Sequence, residues 1–513
     1  MRTVTVTGDA LALDDLVAVA RGQADAEMGP DVGERMAASR AVVAEAVDQD
    51  RVMYGITTGF GALADTHVGR QDLERMQLAL IRSHSAGVGE PLPDDVVRGL
   101  LLLRARTLTA GYSGVRLELP AKLLELLAHD LLPVIPGKGS VGASGDLAQL
   151  AHLAQPLVGE GRLRRRGDAD LRGRPSAELL AEQGVEPLVL APKEGLSLIN
   201  GTEPMQVLLA LAVDDIGLLV KVADIAAAMS IEALLGTDRP YDERVQVIRP
   251  HPGQLASASN LRRLLAGSPL VASHRESDHA VQDSYCLRCA PQVHGAVRDV
   301  LAHARRVIDI ELGSVVDNPV IVPDGEVMST GNFHGEPLAF AGDMLAIAVS
   351  ELASIAERRT DRMLDPAFSR DLPAFLARDP GTNSGFMIAQ YTAASLVSEN
   401  KVLAHPASVD TIPTSGNQED HVSMGWTAMR KLREVVANVR AVLAVEVLAA
   451  SQALDFRATL AAPSAAGAAV LARVRQDVPT MDEDRNVSDQ IVAVDGLLRE
   501  LVAAAEAAVG VLD

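Results

Sequence analysis

Residues 136–155 read "PGKGSVGASGDLAQLAHLAQ", with Gly137, Gly139, Gly142 and Gly145 inside ten positions and an apolar helical pattern directly after them. Two kinds of chemistry place glycines before a helix. Gly137 to Gly142 satisfies G-x-G-x-x-G, the pattern of a dinucleotide phosphate loop. That reading needs a central parallel strand in front, and "LLPVIP" carries Pro133 and Pro136 where such a strand needs its amides. No train of βαβ units surrounds it, and no Gly-Lys-Ser/Thr follows for a phosphate loop. The second kind is chemistry on the backbone itself. In a tight bend the amide nitrogen of Gly145 can approach the carbonyl carbon of Ala143, an approach that a Cβ or an extended chain obstructs. Loss of water from the closed ring and from Ser144 leaves an exocyclic methylidene, an electrophile that none of the twenty side chains supplies.

Other residues offer groups such an electrophile would need. Tyr54, in "MYGITTGFG", is a phenol beside a glycine-rich loop; it acts as a base only where donors, cations or helix N-termini stabilise phenolate, and otherwise it is a half-buried tyrosine with a satisfied hydroxyl. In "VQDSYCLRCAPQ", Gln282, Tyr285 and Arg288 have helical-turn spacing, so all three can project into one space. A planar guanidinium suits a carboxylate, and it equally suits a structural salt bridge. Asn200-Gly201 reads as a turn and Phe333 as core. Glu419 follows Ser415-x-x-Gln418, a capping-box pattern that puts Glu419 in the first turn of a helix.

The stretch "GSVGASGDLAQLAHL" resembles the prosthetic-group motif of the aromatic amino acid ammonia-lyases and aminomutases, in which Ala-Ser-Gly cyclises to 4-methylidene-imidazol-5-one. The resemblance runs through nearly the whole chain: "YGITTGFGAL", "RSHSAGVGEPL", "LINGTEPM", "VQDSYCLRCAPQVHGA", "DNPVIV", "GNFHGEPLA", "SIAERRTDRML", "NQEDHVSMG" and "VPTMDEDR" occur in the family's order. It implies roles residue by residue. Ala143, Ser144 and Gly145 form the electrophile, Tyr54 removes the β-proton, and Arg288 clamps the substrate carboxylate with Gln282 and Tyr285 beside it. Asn200 lies near that carboxylate and the tripeptide, and Phe333 forms an aromatic wall.

Ser83-His84 and Glu419 are the types found in histidine-selective members, where phenylalanine and tyrosine enzymes present apolar residues or His-Leu and an uncharged Gln. A carboxylate facing an imidazole gains a charge-assisted hydrogen bond of roughly 1.5–3 kcal/mol. The implied reaction is elimination of ammonia from L-histidine to give trans-urocanate, with no metal and no dissociable cofactor. The alternative is an aminomutase, or a lyase for a related aromatic amino acid, using the same electrophile. The resemblance further implies a homotetramer whose sites draw residues from three subunits. Gln149, Glu203-Pro204 and Cys286 depart from the family's usual residues.

These groups must be held by a large protein. A chain of 513 residues buries several core layers without staples. Its only cysteines, Cys286 and Cys289, exclude a disulfide framework and point to a reducing, cytoplasmic setting. The net charge of −21 is the wrong sign for a general nucleic-acid binder. The one basic run, "GRLRRRGDADLRGR", reads as a solvated surface loop. The N-terminal Val/Thr alternation suits a short strand and lacks the apolar core of a secretory signal. The apolar segment 205–235 is cut by Asp214, Asp215, Lys221 and Asp224, which makes it a core helix rather than a membrane span.

Helical spacing recurs at 35–48, 70–89, 94–110, 118–130, 205–235, 292–313, 337–360, 383–403, 419–457 and 490–510. Aromatic residues are only 3% of the chain, so Leu, Ala and Val must fill the core. The expected fold is mainly α: a long central helix bundle, with a smaller mixed N-terminal region carrying the prosthetic-group loop. Composition places a soft boundary near residue 200, giving 1–200 and 201–513. The clearest strand signal is "NPVIVPDGEVMSTGN", with Pro323-Asp324-Gly325 as its turn.

Overall fold

The computed structural model describes residues 2–59, 61, 66–276 and 281–513, so part of "YGITTGFGAL" (60 and 62–63) lies outside the described residues. Helices dominate. The longest are Glu203–Ala233, Ala290–Glu311, Glu336–Leu364, Gly425–Arg457 and Val487–Val509. Glu203–Ala233 is about 46 Å long at 1.5 Å per residue, and its Leu, Ala, Val and Ile side chains are largely buried all round. Its polar residues survive there because they are paired. Asp224 accepts from Ser257 Oγ at 2.5 Å, from His294 Nδ1 at 2.8 Å and from Arg298 Nη2 at 2.6 Å. Burial alone would raise its pKa, but these cations and donors outweigh burial and bring it to about 2. Glu336–Leu364 alone, among the described residues, is long and apolar enough to cross a bilayer, and 61% of its most apolar window is buried, as in a core helix.

The chain forms two compact units. The first comprises residues 1–211, 305–342 and 407–430; the second comprises 212–304, 343–406 and 431–513. A boundary drawn from composition near residue 200 crosses once, whereas the chain returns to the first unit twice. The second unit holds most of the length of the long helices. Among the described residues, the first adds four small sheets. Arg2–Val6 pairs in parallel with Ala24–Met28, and Val320–Ile321 pairs with Val327–Met328 around the expected Pro-Asp-Gly turn. "LLPVIP" is split: Leu131–Pro133 joins Arg162–Arg165, and Pro136–Lys138 joins Val88–Pro91. A central parallel strand is therefore absent there, as the two prolines require.

Two local expectations change. The basic run is not a free loop: Arg162–Arg165 is the middle strand of a three-stranded sheet, and Arg164 is fully buried, bonded to Asp94 and to the Leu92 carbonyl. A buried guanidinium is tolerated because its charge is answered. The helix expected from residue 419 begins at Gly425. Met424 has a left-handed φ of 53° and donates its N–H to Val141 O at 2.9 Å, so the backbone before it is tied to the glycine-rich loop rather than to a first helical turn.

Candidate active site

Ala143, Ser144 and Gly145 sit immediately before helix Leu147–Ala154, in a tight turn. Ala143 pairs with Gly145 across Ser144, and Gly145 pairs in turn with Gly201. Gly145 has φ +73°, and a Cβ there would lie 1.9 Å from Gly201 O, so only glycine fits. Ala143 is buried against Val422 and Met424. The loop is held from behind: Trp426 Nε1 donates to Gly137 O at 2.9 Å and Ser423 Oγ donates to Gly142 O at 3.2 Å.

Asp146 is wholly buried. Its N–H donates to Gly201 O at 2.8 Å, and its carboxylate accepts from Ser140 Oγ at 2.6 Å and Met205 N at 3.1 Å. Burial nevertheless pushes its pKa up to about 7.

Ser144 faces a cavity of about 570 Å³ in the first unit, whose lining includes Tyr54, Ser83, His84, Leu196, Asn200, Asn318 and Glu419. A smaller cavity of about 340 Å³ shares Tyr54, Ser144 and Glu419 and adds Phe333, His334 and His421. The first unit thus gathers six of the positions singled out in the sequence around Ser144's own. Tyr54 Oη accepts from the Gly61 N–H at 3.2 Å, the type of donor a phenolate needs. Asn200 ends helix Glu194–Ile199; its Nδ2 donates to Asn318 O at 2.9 Å, and its buried Oδ1 has no hydrogen-bond partner.

Glu419 is engaged at both oxygens: Oε1 accepts from Ser144 Oγ at 3.1 Å and Oε2 from Thr414 Oγ1 at 2.7 Å. It lies in a loop where Thr414 N donates to Glu419 O at 2.9 Å, not in a helical first turn. His84 closes helix Leu73–His84, and its Nδ1 lies 3.0 Å from Leu80 O. Ser83 Oγ lies 3.1 Å from the same nitrogen; because a carbonyl only accepts, the Leu80 contact is a hydrogen bond in the tautomer with its proton on Nδ1, which leaves the Nε2 lone pair free. Burial lowers the His84 pKa, opposed by the Leu80 bond and the Glu419 charge.

Gln282, Tyr285 and Arg288 belong to the second unit and do not line these cavities. Only Tyr285 and Arg288 share a helix, the single turn Tyr285–Arg288; Gln282 precedes it in a bend, because Ser284 is the residue before the helix begins. The Arg288 guanidinium lies 4.7 Å from the centroid of the Tyr285 ring, which is 72% exposed. Its Nε is buried with no partner.

The sequence reading missed Thr414, which orients Glu419, and Asn318, whose signal was the Asn-Pro of "DNPVIV". It also named no metal ligands. Among the described residues, His334, Glu336 and His421 bring one ligand atom each within 4.8 Å of one another, a set that could hold a cation, and the two histidines line the smaller cavity.

The turn fits the ring-forming group on three counts. Gly145 leaves no room for a Cβ, Ser144 lines a cavity, and Asn200, whose buried Oδ1 has no partner, lines the same cavity.

The chain is 52% identical to a histidine ammonia-lyase of Deinococcus radiodurans over 97% of its own length and 94% of that protein's. The crystal structure of histidine ammonia-lyase from Trypanosoma cruzi is similar with a TM-score of 0.90 and 43% identity, covering 99% of this chain and 96% of that one. Tyrosine aminomutase from Streptomyces globisporus superposes with a TM-score of 0.93 and 38% identity, each chain wholly covered. A family model, aromatic amino acid lyase, matches residues 11–476, and the chain belongs to that family.

Proposed function

We propose that the protein eliminates ammonia from L-histidine to give trans-urocanate, as a cytoplasmic homotetramer whose sites are completed between subunits. The observation that carries this reading is that Glu419 lies beside Ser144, with 3.1 Å from Oε1 to Oγ in the uncyclised tripeptide, in a cavity that also holds His84 and Tyr54. A ring docked beside the tripeptide meets a carboxylate and an imidazole rather than an apolar slot.

Both of those groups accept. Glu419 offers carboxylate oxygens, and His84 offers Nε2 once its Nδ1 proton is committed to Leu80 O. A substrate imidazolium has two ring N–H groups for them. A phenyl ring has none and would leave both desolvated and unpaired, which discriminates by about 10⁴ or more in sites built on hydrogen bonds. Removing the β-proton falls to Tyr54, whose oxygen receives the Gly61 amide dipole where negative charge would form. Asn200 is anchored through Nδ2, and its free Oδ1 would accept from the substrate's ammonium group.

Ala143, Ser144 and Gly145 would supply 4-methylidene-imidazol-5-one, an electrophile that improves the amine as a leaving group. Arg288, with Tyr285 and Gln282, would bind the substrate carboxylate from another subunit, since a guanidinium fork matches it. The identity with histidine ammonia-lyases over the full chain supports this assignment.

The similarity to a tyrosine aminomutase keeps a second reading open, in which the amine returns to the β-carbon. One experiment separates them. Purified protein incubated separately with histidine, phenylalanine and tyrosine gives urocanate and ammonia from histidine alone; a β-amino acid, or preference for an aryl substrate, overturns the assignment.

A further inference from the structure

Arg104 and Glu203 form an ion pair in which both side chains are fully buried. Such a pair is a poor source of net stability, because desolvating two charges costs about as much as their attraction returns. Its position suggests another use. One nitrogen, Arg104 Nη1, donates to Glu203 Oε1 at 2.8 Å, to Glu203 Oε2 at 2.9 Å and to the Asn200 carbonyl at 3.1 Å. The pair therefore grips the Asn200–Gly201 peptide.

Gly201 is pressed against it so closely that a Cβ there would lie 2.2 Å from Glu203 Oε2 and 2.4 Å from Arg104 Nη1. On its other side, Gly201 O receives the Asp146 N–H at 2.8 Å, and Gly201 pairs with Gly145. A continuous line of contacts runs from the ion pair through Asn200–Gly201 to the last residue of the tripeptide.

We propose that the Arg104–Glu203 pair is a positioning device for ring closure, acting through Asn200–Gly201 to hold Gly145 in the bend that brings its nitrogen to the Ala143 carbonyl carbon. The inference rests on the proposed maturation of residues 143–145. Closure forms the bond between Gly145 N and Ala143 C. The Ala143 oxygen leaves as water with the amide hydrogens of Gly145 and Ser144, and a second water takes the Ser144 hydroxyl and its Hα. No oxidant or co-reactant is needed. What closure lacks in an ordinary chain is proximity, and a wall that cannot recede supplies it.

The test measures, by intact mass, the fraction of folded full-length protein that has lost two waters, followed in time after synthesis. Arg104→Met/Glu203→Met removes the grip without leaving a buried charge, and Arg104→Met/Glu203→Gln does so while keeping a polar group over Gly201 should the first variant not fold. Circular dichroism and gel filtration define the folded fraction. Maturation in that fraction is expected to slow at least tenfold, whereas Glu203→Gln, which keeps an oxygen for Arg104 Nη1 and its bond to Asn200 O, matures at the parental rate. Folded double variants that mature at the parental rate overturn the inference, as does a folded Glu203→Gln protein that fails to mature. A parent protein that has lost no water at all overturns instead the reading on which the inference depends.

Discussion

Ser144 and Glu419, 275 residues apart in sequence, meet through a hydrogen bond of 3.1 Å from Oγ to Oε1. The contact ties the serine proposed to become part of an electrophile to the carboxylate proposed to select the substrate's ring. Thr414 holds the other carboxylate oxygen, so the charge is aimed rather than free to swing.

Glu419→Gln keeps the shape and the Thr414 contact but removes the anion. We expect kcat/KM for histidine to fall roughly 10- to 150-fold, the loss of a charge-assisted bond of about 1.5–3 kcal/mol. Discrimination against phenylalanine should narrow in parallel. Steady-state kinetics on both substrates checks this; an unchanged ratio would remove Glu419 from substrate selection.

Tyr54→Phe deletes the hydroxyl that receives the Gly61 amide. Turnover should drop by about 10²–10⁴, the usual contribution of a positioned base, while the melting temperature and the mass of residues 143–145 stay as in the parent. A variant that retains full turnover shows that another group takes the proton.

His84 has its pKa lowered, chiefly by burial. The neutral ring accepts through Nε2; below its pKa that nitrogen becomes a donor and repels a substrate N–H. Binding of histidine should therefore weaken on the acid side, and His84→Gln should flatten that limb of the kcat/KM profile. The stability sign is the same: the folded state holds fewer protons than the unfolded one, so this group's contribution is lost as pH falls below the ordinary histidine value. An acid limb that persists unaltered in His84→Gln assigns it elsewhere.

Glu311 has its pKa pushed up to about 7, first by burial and then by the charge of Glu203. A raised carboxyl pKa means the folded state keeps a proton that the unfolded state has released. Stability from this group is full below about pH 4.5 and is lost as pH rises through about 7, with an upper limit of about 3 kcal/mol. Glu311→Gln should raise the melting temperature at pH 8 relative to the parent and leave it little changed at pH 4.5. Equal melting temperatures at pH 8 would show that Glu311 ionises freely in the fold.

The sequence revealed the parts that repeat a simple rule. Apolar residues at helical spacing predict the long helices within a few residues at Glu203–Ala233, Ala290–Glu311 and Glu336–Leu364, because burial against neighbours rewards that period. The four glycines predict a strained bend, and Gly145 proves to be a place where no Cβ fits.

What stayed hidden depends on partners distant in sequence. Glu419 reads locally as a first-turn residue, yet the segment before Gly425 is pulled out of helix by the bond from Met424 to Val141 and by the Thr414–Glu419 backbone pair. Gln282 keeps helical spacing to Tyr285 but lies before the helix, which spans only four residues. Arg164 sits in a run that reads as solvated, and its burial is set by Asp94, 70 residues away. Arg104 carried no signal at all until its partner Glu203 was placed beside it.

The central claim is that the backbone at residues 143–145 becomes an electrophile. Its most direct test is the mass of the peptide spanning those residues, cut from purified active protein and compared with the same peptide from Ser144→Ala. The parent peptide is expected to be lighter than its encoded composition by two waters, and the variant to lose both that deficit and at least about 10³-fold in turnover. An active parent protein whose peptide carries the full encoded mass, with an intact serine, would contradict the account.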